Sequence, residues 1–153
     1  LRPLHLLTKR VMELMVEFQA FNGKKYRHLH RRFSVGSANE AYKLRFGKKL
    51  CGQESRSVYL HTNRPFSTKD VDNNKLFTNC SNTMGGGGGW WYVDHNYCYT
   101  VNMNGKYYAK GKSERGEGIV WFPVAFGRGE SLKTTKMMFR PEGTTQKCED
   151  FSP

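Results

Sequence analysis

Apolar residues over the first third of the chain fit two periodicities at once. Between residues 11 and 18, Val11, Leu14, Met15 and Phe18 share one face of a helix, while Leu14, Val16 and Phe18 share one face of a strand, and periodicity alone does not choose between them. Asn22 and Gly23 then supply a hairpin-type turn. Alternation resumes over 26–35, placing Leu29, Phe33 and Val35 on one face and basic residues on the other, so a hairpin is the economical reading. Ser37 and Glu40 have capping-box spacing, which predicts a short helical turn before a strand-like segment at 42–46. From Asn63 onward the alternation dissolves into Asn, Gly, Asp and Thr, with brief apolar stretches at 119–122 and 133–139. Loops are expected there. Ordering such segments carries a large conformational-entropy penalty, so a disulfide or a metal is expected to tie them. No internal repeat is found, and residues 142–153 read as a polar tail.

Composition adds limits to this pattern. The 153 residues, 37% hydrophobic and 14% aromatic, suit a single domain with a core rather than a disordered chain. No run approaches the roughly 18 apolar residues of a membrane span, and no signal peptide opens the sequence. Its first residue is Leu1, so a processed or truncated piece is expected. Lys and Arg number 25 against 13 Asp and Glu, for a formal charge of +12, which favours polyanions through counterion release. The basic residues are spread from Arg2 to Lys147, concentrating only at 24–32 and 43–49. No zinc-finger spacing, basic helix or RNP-like strand accompanies them. The expected polyanion is therefore heparan sulfate or an acidic partner, not nucleic acid. Cys51, Cys80, Cys98 and Cys148 are too dispersed for a zinc knuckle or CxxC motif. Disulfides in an oxidising, extracellular setting are expected, with three pairings open.

Candidate chemistry is sparse. Asp70, Asp72 and Asn74 alternate at two-residue steps and can converge on a hard cation, calcium being the natural one. The run is not an EF-hand: Lys75 replaces the obligatory glycine and Ser81 the bidentate glutamate. Gly85 to Gly89 lead into Trp90, Trp91 and Tyr92 without the Gly-Lys-Ser or Gly-Lys-Thr of a phosphate loop, so the glycines are read as letting backbone pass beside bulky rings. His5, His28, His30, His61 and His95 have no partners at motif spacing. His28 and His30 share one side of a strand but are too few for a metal site. No nucleophile elbow or zinc-protease signature is found, so no enzyme is expected. Asn79, Cys80 and Ser81 form a glycosylation sequon.

Taken together, the stretches 65–72, 79–80, the glycine run into Trp90 and Trp91, Cys98, 102–108, 118–121 and 131–141 resemble the C-terminal globular domain of the fibrinogen-related family. Upstream, 4–8, Phe21 to Gly23 and 33–36 resemble its central subdomain, so the likeness covers roughly residues 4–141. Residues 6–9 are similar to fibroleukin-like members and 131–141 to angiopoietin-like ones. The resemblance implies an α+β fold: a twisted antiparallel sheet with short helices (1–64) carrying a loop-rich, calcium-binding recognition subdomain with a return strand (65–141). It makes 13–18 a strand. It implies calcium held by the side chains of Asp72 and Asn74 and the carbonyls of Leu76 and Thr78, with Asp70 in support; Asn74 replaces a more usual aspartate. It also implies a Cys80–Cys98 disulfide and a cis Tyr97–Cys98 bond aiming the Cys98 and Tyr99 amides at a ligand oxygen. Tyr92, Tyr97, Cys98, Tyr99 and Arg115 are the implied ligand-binding residues. Differences from the family are Tyr99 in place of a common histidine, three extra residues between Tyr92 and Cys98, and Arg115, Gly116 and Glu130 where acetyl-group lectins carry an aromatic wall. Met84 and Gly116 replace the acids with which fibrinogen receives a basic peptide knob. The expected function is a secreted, calcium-dependent recognition module for glycan or acetylated ligands, of innate-immune lectin type. The alternative is an angiopoietin-like or fibroleukin-like ligand of a cell-surface receptor or heparan sulfate. Homo-oligomerisation through an upstream segment, and a missing opening subdomain that leaves a sheet edge uncovered, are further implications.

Overall fold

A computed structural model describes residues 1–52, 56–113, 116–124 and 129–143. A short helix, α1 (Arg2–Leu7), opens the chain and was not foreseen from the pattern. Thr8 fastens its end: the hydroxyl donates to the Leu4 carbonyl and accepts from the Val35 amide, at 2.8 and 3.0 Å. The ambiguous segment is strand β1 (Met12–Gln19), hairpinned to β2 (Lys25–Val35). Tertiary context decides here, because a strand buries Met12, Leu14, Val16 and Phe18 together against the core.

The expected placement of Leu29 with Phe33 and Val35 is corrected. Met12 pairs with Phe33 and Leu14 with His30, so Arg31 and Arg32 face Glu13 alone in a β-bulge, with Arg32 at a left-handed φ of 53°. The extra residue inverts the alternation. His28, His30, Phe33 and Val35 are all buried, whereas Leu29 joins a separate cluster with Cys51, Met15 and Leu50.

Ser37 and Glu40 form the expected capping box around a 3-10 turn, Ala38–Glu40. The strand expected at 42–46 shrinks to β3 (Leu44–Arg45), because Ala41 and Tyr42 adopt left-handed φ of 49° and 52°. Strand β4 (Lys49–Cys51) pairs with β2, and a second 3-10 turn spans Ser57–His61. After helix α2 (Cys80–Thr83) and the two-stranded ladder β5 (Val101–Asn102) with β6 (Val120–Trp121), the chain returns as β7 (Thr134–Pro141), antiparallel to β1. The main sheet is therefore ordered β3-β2-β1-β7, with β4 also on β2. Trp121 joins the loop half to this sheet, its ring 4.8 Å from Phe18 and 4.7 Å from His28. Of the expected polar tail, residues 144–153 lie outside the described residues.

Candidate functional site

The loop carrying the candidate cation ligands is closed at its neck by one side chain. Asn79 Oδ1 accepts from the amides of Ser81 and Asn82, capping α2, while its Nδ2 donates to the carbonyls of Thr68 and Lys69. The loop is built from successive Asx turns: the Asn74 amide donates to Asp72 Oδ1 at 3.1 Å, and the Leu76 amide to Asn74 Oδ1 at 3.0 Å. The Thr68 hydroxyl donates to Asp70 and holds that carboxyl below its usual range. Asn73 turns inward, its amide reaching Ser67 Oγ and its Nδ2 the Phe66 carbonyl. Asp72, Asn74 and the Leu76 and Thr78 carbonyls offer hard oxygens, the donor type calcium selects. Among the described residues no hydrogen bond ends on those two carbonyls. None forms a cluster of three His, Cys, Asp or Glu, so amide and carbonyl oxygens predominate in this loop.

Cys80, the first residue of α2, is bonded to Cys98 with the Cα atoms 5.6 Å apart, the pairing the resemblance implies. Cys51 is also disulfide-bonded, and Cys148 lies outside the described residues. The expected cis bond before Cys98 is not found: among the described residues the cis peptide is Phe122–Pro123, and Cys98 instead makes its turn through a left-handed φ of 59°. The amides of Cys98 and Tyr99 are engaged within this turn. The Cys98 amide donates to the His95 carbonyl at 2.7 Å and the Tyr99 amide to the Tyr97 carbonyl at 2.6 Å. The extra residues before Cys98 give this turn its own acceptors.

Tyr92 and Tyr99 are interior. The Tyr92 hydroxyl donates to the Gly88 carbonyl, and that of Tyr99 reaches the carbonyls of Met84 (2.9 Å) and Gly116. Burial raises the Tyr92 phenol to about 12 and pushes Tyr99 up as well, with Tyr92, Glu117 and Tyr108 adding to the latter. The glycine run has the role expected of it, since a Cβ on Gly85 would lie 1.9 Å from the Tyr92 hydroxyl. Tyr97 is 59% exposed and stacks on His95 with centroids 5.2 Å apart, whereas Arg115 lies outside the described residues.

Two further residues shape this surface. Asp94 accepts the Lys75 amide at 3.1 Å through one oxygen and pairs with Arg64 through the other, tying the cation loop to the Val93–Cys98 turn. Phe77, in the same loop, is fully exposed. Their traces in the sequence were the extra length between Tyr92 and Cys98 and an aromatic in a polar run.

A disulfide-closed loop surface on an antiparallel sheet defines the class: a fibrinogen-like globe. The family model "Fibrinogen beta and gamma chains, C-terminal globular domain" matches residues 2–142, and the chain belongs to that family. It is 32% identical over 151 residues to angiopoietin-related protein 7 of Bos taurus, covering 98% of this chain and 40% of that protein. Against tenascin-R of Gallus gallus it is 37% identical over 110 residues, 72% of this chain and 7% of that one. The chain thus spans well under half the length of these curated relatives. The fibrinogen-like globe domain of human ANGPTL6 superposes with a TM-score of 0.79 at 31% identity, covering 91% of this chain and 61% of that one. Lamprey fibrin D-dimer, solved with the peptide Gly-His-Arg-Pro-amide, shares the fold at TM-score 0.83 and 24% identity, covering 95% of this chain and 50% of its own.

Proposed function

We propose that this chain is a calcium-supported extracellular recognition module that engages a protein or peptide segment through the surface bearing Phe77 and Tyr97. The observation that carries this reading is the pair of exposed aromatic rings on two loops tied together at Asp94. Exposed rings on a braced surface are what protein interfaces use as anchors. Calcium belongs to the proposal as the cation held by Asp72, Asn74 and the Leu76 and Thr78 carbonyls, fixing the loop that presents Phe77. An amide-lined acetyl pocket is less well supported, because the Cys98 and Tyr99 amides are engaged within their own turn.

A second reading, calcium-dependent binding of a glycan, draws on the exposed Tyr97–His95 stack, a flat platform for a sugar face. One experiment separates the two: the chain is screened against extracellular receptor ectodomains and a glycan array, with calcium and with chelator. The leading reading expects ectodomain binding that falls with chelator and is lost in Phe77→Ser and Tyr97→Ser. Binding to sugars alone, sensitive to Tyr97→Ser and indifferent to Phe77→Ser, selects the second. Ectodomain binding unchanged in both variants overturns the first.

A further inference from the structure

The two basic runs of the sequence, 24–32 and 43–49, are separate in the chain but adjacent in the sheet. The Arg31 amide donates to the Lys48 carbonyl at 3.2 Å and the Gly47 amide to the Arg31 carbonyl at 2.6 Å. At this junction the bulge of β2 places two consecutive arginines, Arg31 and Arg32, outside together, whereas strand alternation would send one of them into the core. The arrangement holds Arg32 in a left-handed conformation that favours glycine, a strained state expected to persist where it serves a function. Gly47 passes close beneath: a Cβ there would lie 3.4 Å from both Cβ and Cδ of Arg32.

Around these residues is a cleft of about 330 Å³ lined by Arg31, Arg32, Gly47, Lys48 and Glu142. Glu142 already brings a carboxylate into it, accepting the Arg32 amide at 3.1 Å and lying 3.8 Å from Arg31 Nε. That leaves one carboxylate against three cations. Neither the Arg32 guanidinium nor the Lys48 ammonium has an ion-pair partner among the described residues.

We propose that this cleft binds sulfate groups of a sulfated polysaccharide, with Glu142 as an internal carboxylate competing for the same cations. Paired guanidiniums match the oxygens of tetrahedral oxyanions and repel one another without an anion between them. A polymer fits better than a single ion because two further exposed cations, Lys24 and Lys25, lie at the start of β2, beyond an Arg27 already paired with Glu17. A sulfated glycan fits better than nucleic acid because the disulfides place the chain in an oxidising compartment, outside the cytosol and nucleus. The site is independent of the loop surface described above.

The test is the salt dependence of binding to heparin, using a heparin column and calorimetry with a heparin octasaccharide. Arg31→Ala/Lys48→Ala is expected to weaken affinity about tenfold and flatten the slope against log salt by about two. Lys110→Ala/Lys112→Ala removes equal charge from an exposed segment elsewhere and is expected to do much less. Equal losses from the two pairs overturn the site in favour of diffuse charge. Glu142→Gln is expected to tighten binding more than Glu130→Gln, which makes the same charge change at another position; equal effects overturn the role of Glu142. Arg32→Gly is expected to weaken binding while raising the melting temperature, so loss of binding there cannot be ascribed to unfolding. Duplex DNA bound as tightly as heparin at the same salt overturns the assignment to a sulfated polysaccharide.

Discussion

His30 and His61 are both removed from solvent but have different surroundings. His61 Nδ1 faces the Trp91 carbonyl at 2.7 Å, while Nε2 faces the amides of Val101 and Thr100 at 3.0 and 3.3 Å. These partners fix the neutral tautomer with its proton on Nδ1, because a proton on Nε2 would point at donors. His30 is packed among the rings of Phe46, Tyr59 and His28, with no hydrogen bond to either nitrogen among the described residues. Burial lowers His30 to about 3, with His28 and Lys49 adding to the effect, and lowers His61 to about 4 against the opposing hydrogen bond that His61 donates to the Trp91 carbonyl, with Arg64 adding to the lowering. The unfolded chain takes up protons near 6.5 that the native state refuses. Stability is therefore complete above about pH 6.5 and falls by about 1.4 kcal/mol per pH unit for each histidine toward pH 4. Urea denaturation at pH 7.5 and 5.5 should show this loss, and His30→Phe should roughly halve it; an unchanged midpoint sinks the argument. A backbone clash supplies a second check at this scale. A Cβ on Gly88 would lie 2.0 Å from the Asn104 carbonyl oxygen, so Gly88→Ala is expected to destabilise by about 2 kcal/mol in the same assay.

Among the described residues, strand β7 is bound to the sheet on one side only, through β1. Its register places Arg140 opposite Glu13, and the two pair although Glu13 is buried. Removing the cation leaves a buried carboxylate uncompensated, whereas glutamine in place of the acid keeps an oxygen that can accept from Arg140 Nε, on a side chain that is only partly buried. Arg140→Ala is thus expected to cost about 2 kcal/mol, and Glu13→Gln clearly less. Thermal unfolding of both variants checks the order, and equal losses would mean that the pair adds little beyond packing. What the sequence made legible follows the same division between local and long-range causes. The capping box at Ser37 and Glu40 was readable because its partners are three residues apart. The identity of β1 was not readable from periodicity, since its apolar residues fit both periods and one of its two partners, β7, lies more than 100 residues away; family resemblance settled it. The face of Leu29 was misread because a bulge leaves no mark in a hydrophobic pattern. At the candidate site, the Cys80–Cys98 bond followed from resemblance, but burial of Tyr92 and Tyr99, engagement of the turn amides and the bracing role of Asp94 depend on contacts that spacing does not encode.

At the scale of the molecule, the sheet half has regular hydrogen bonding, while the loop half depends more on individual ties, among them the Cys80–Cys98 bond, the Asn79 cap, Asp94, buried His61 and the Trp121 packing. The disulfide and the proposed calcium loop are adjacent in the chain, because Thr78 supplies a candidate carbonyl, Asn79 closes the loop neck and Cys80 carries the sulfur. Closing the 18-residue separation between the cysteines contributes about 3 kcal/mol by restricting the unfolded chain. Calcium at a hundred times its dissociation constant contributes about 2.7 kcal/mol, provided the unfolded chain does not bind it. If both act on one structural unit, their effects are coupled. Cys80→Ala/Cys98→Ala is then expected to lower the melting temperature and also to shrink the rise that calcium produces, because α2 and the Asn79 cap are less firmly placed in the metal-free loop. Asn74→Asp, which restores a second carboxylate to the ligand set, is expected to enlarge that rise in the parent chain, since calcium affinity increases with ligand charge. Thermal unfolding across a calcium titration of the parent and both variants measures all three effects. A calcium shift identical in the parent and the cysteine-free variant would show that the loop is organised without the disulfide. No shift in any of them, including Asn74→Asp, would remove calcium from the account.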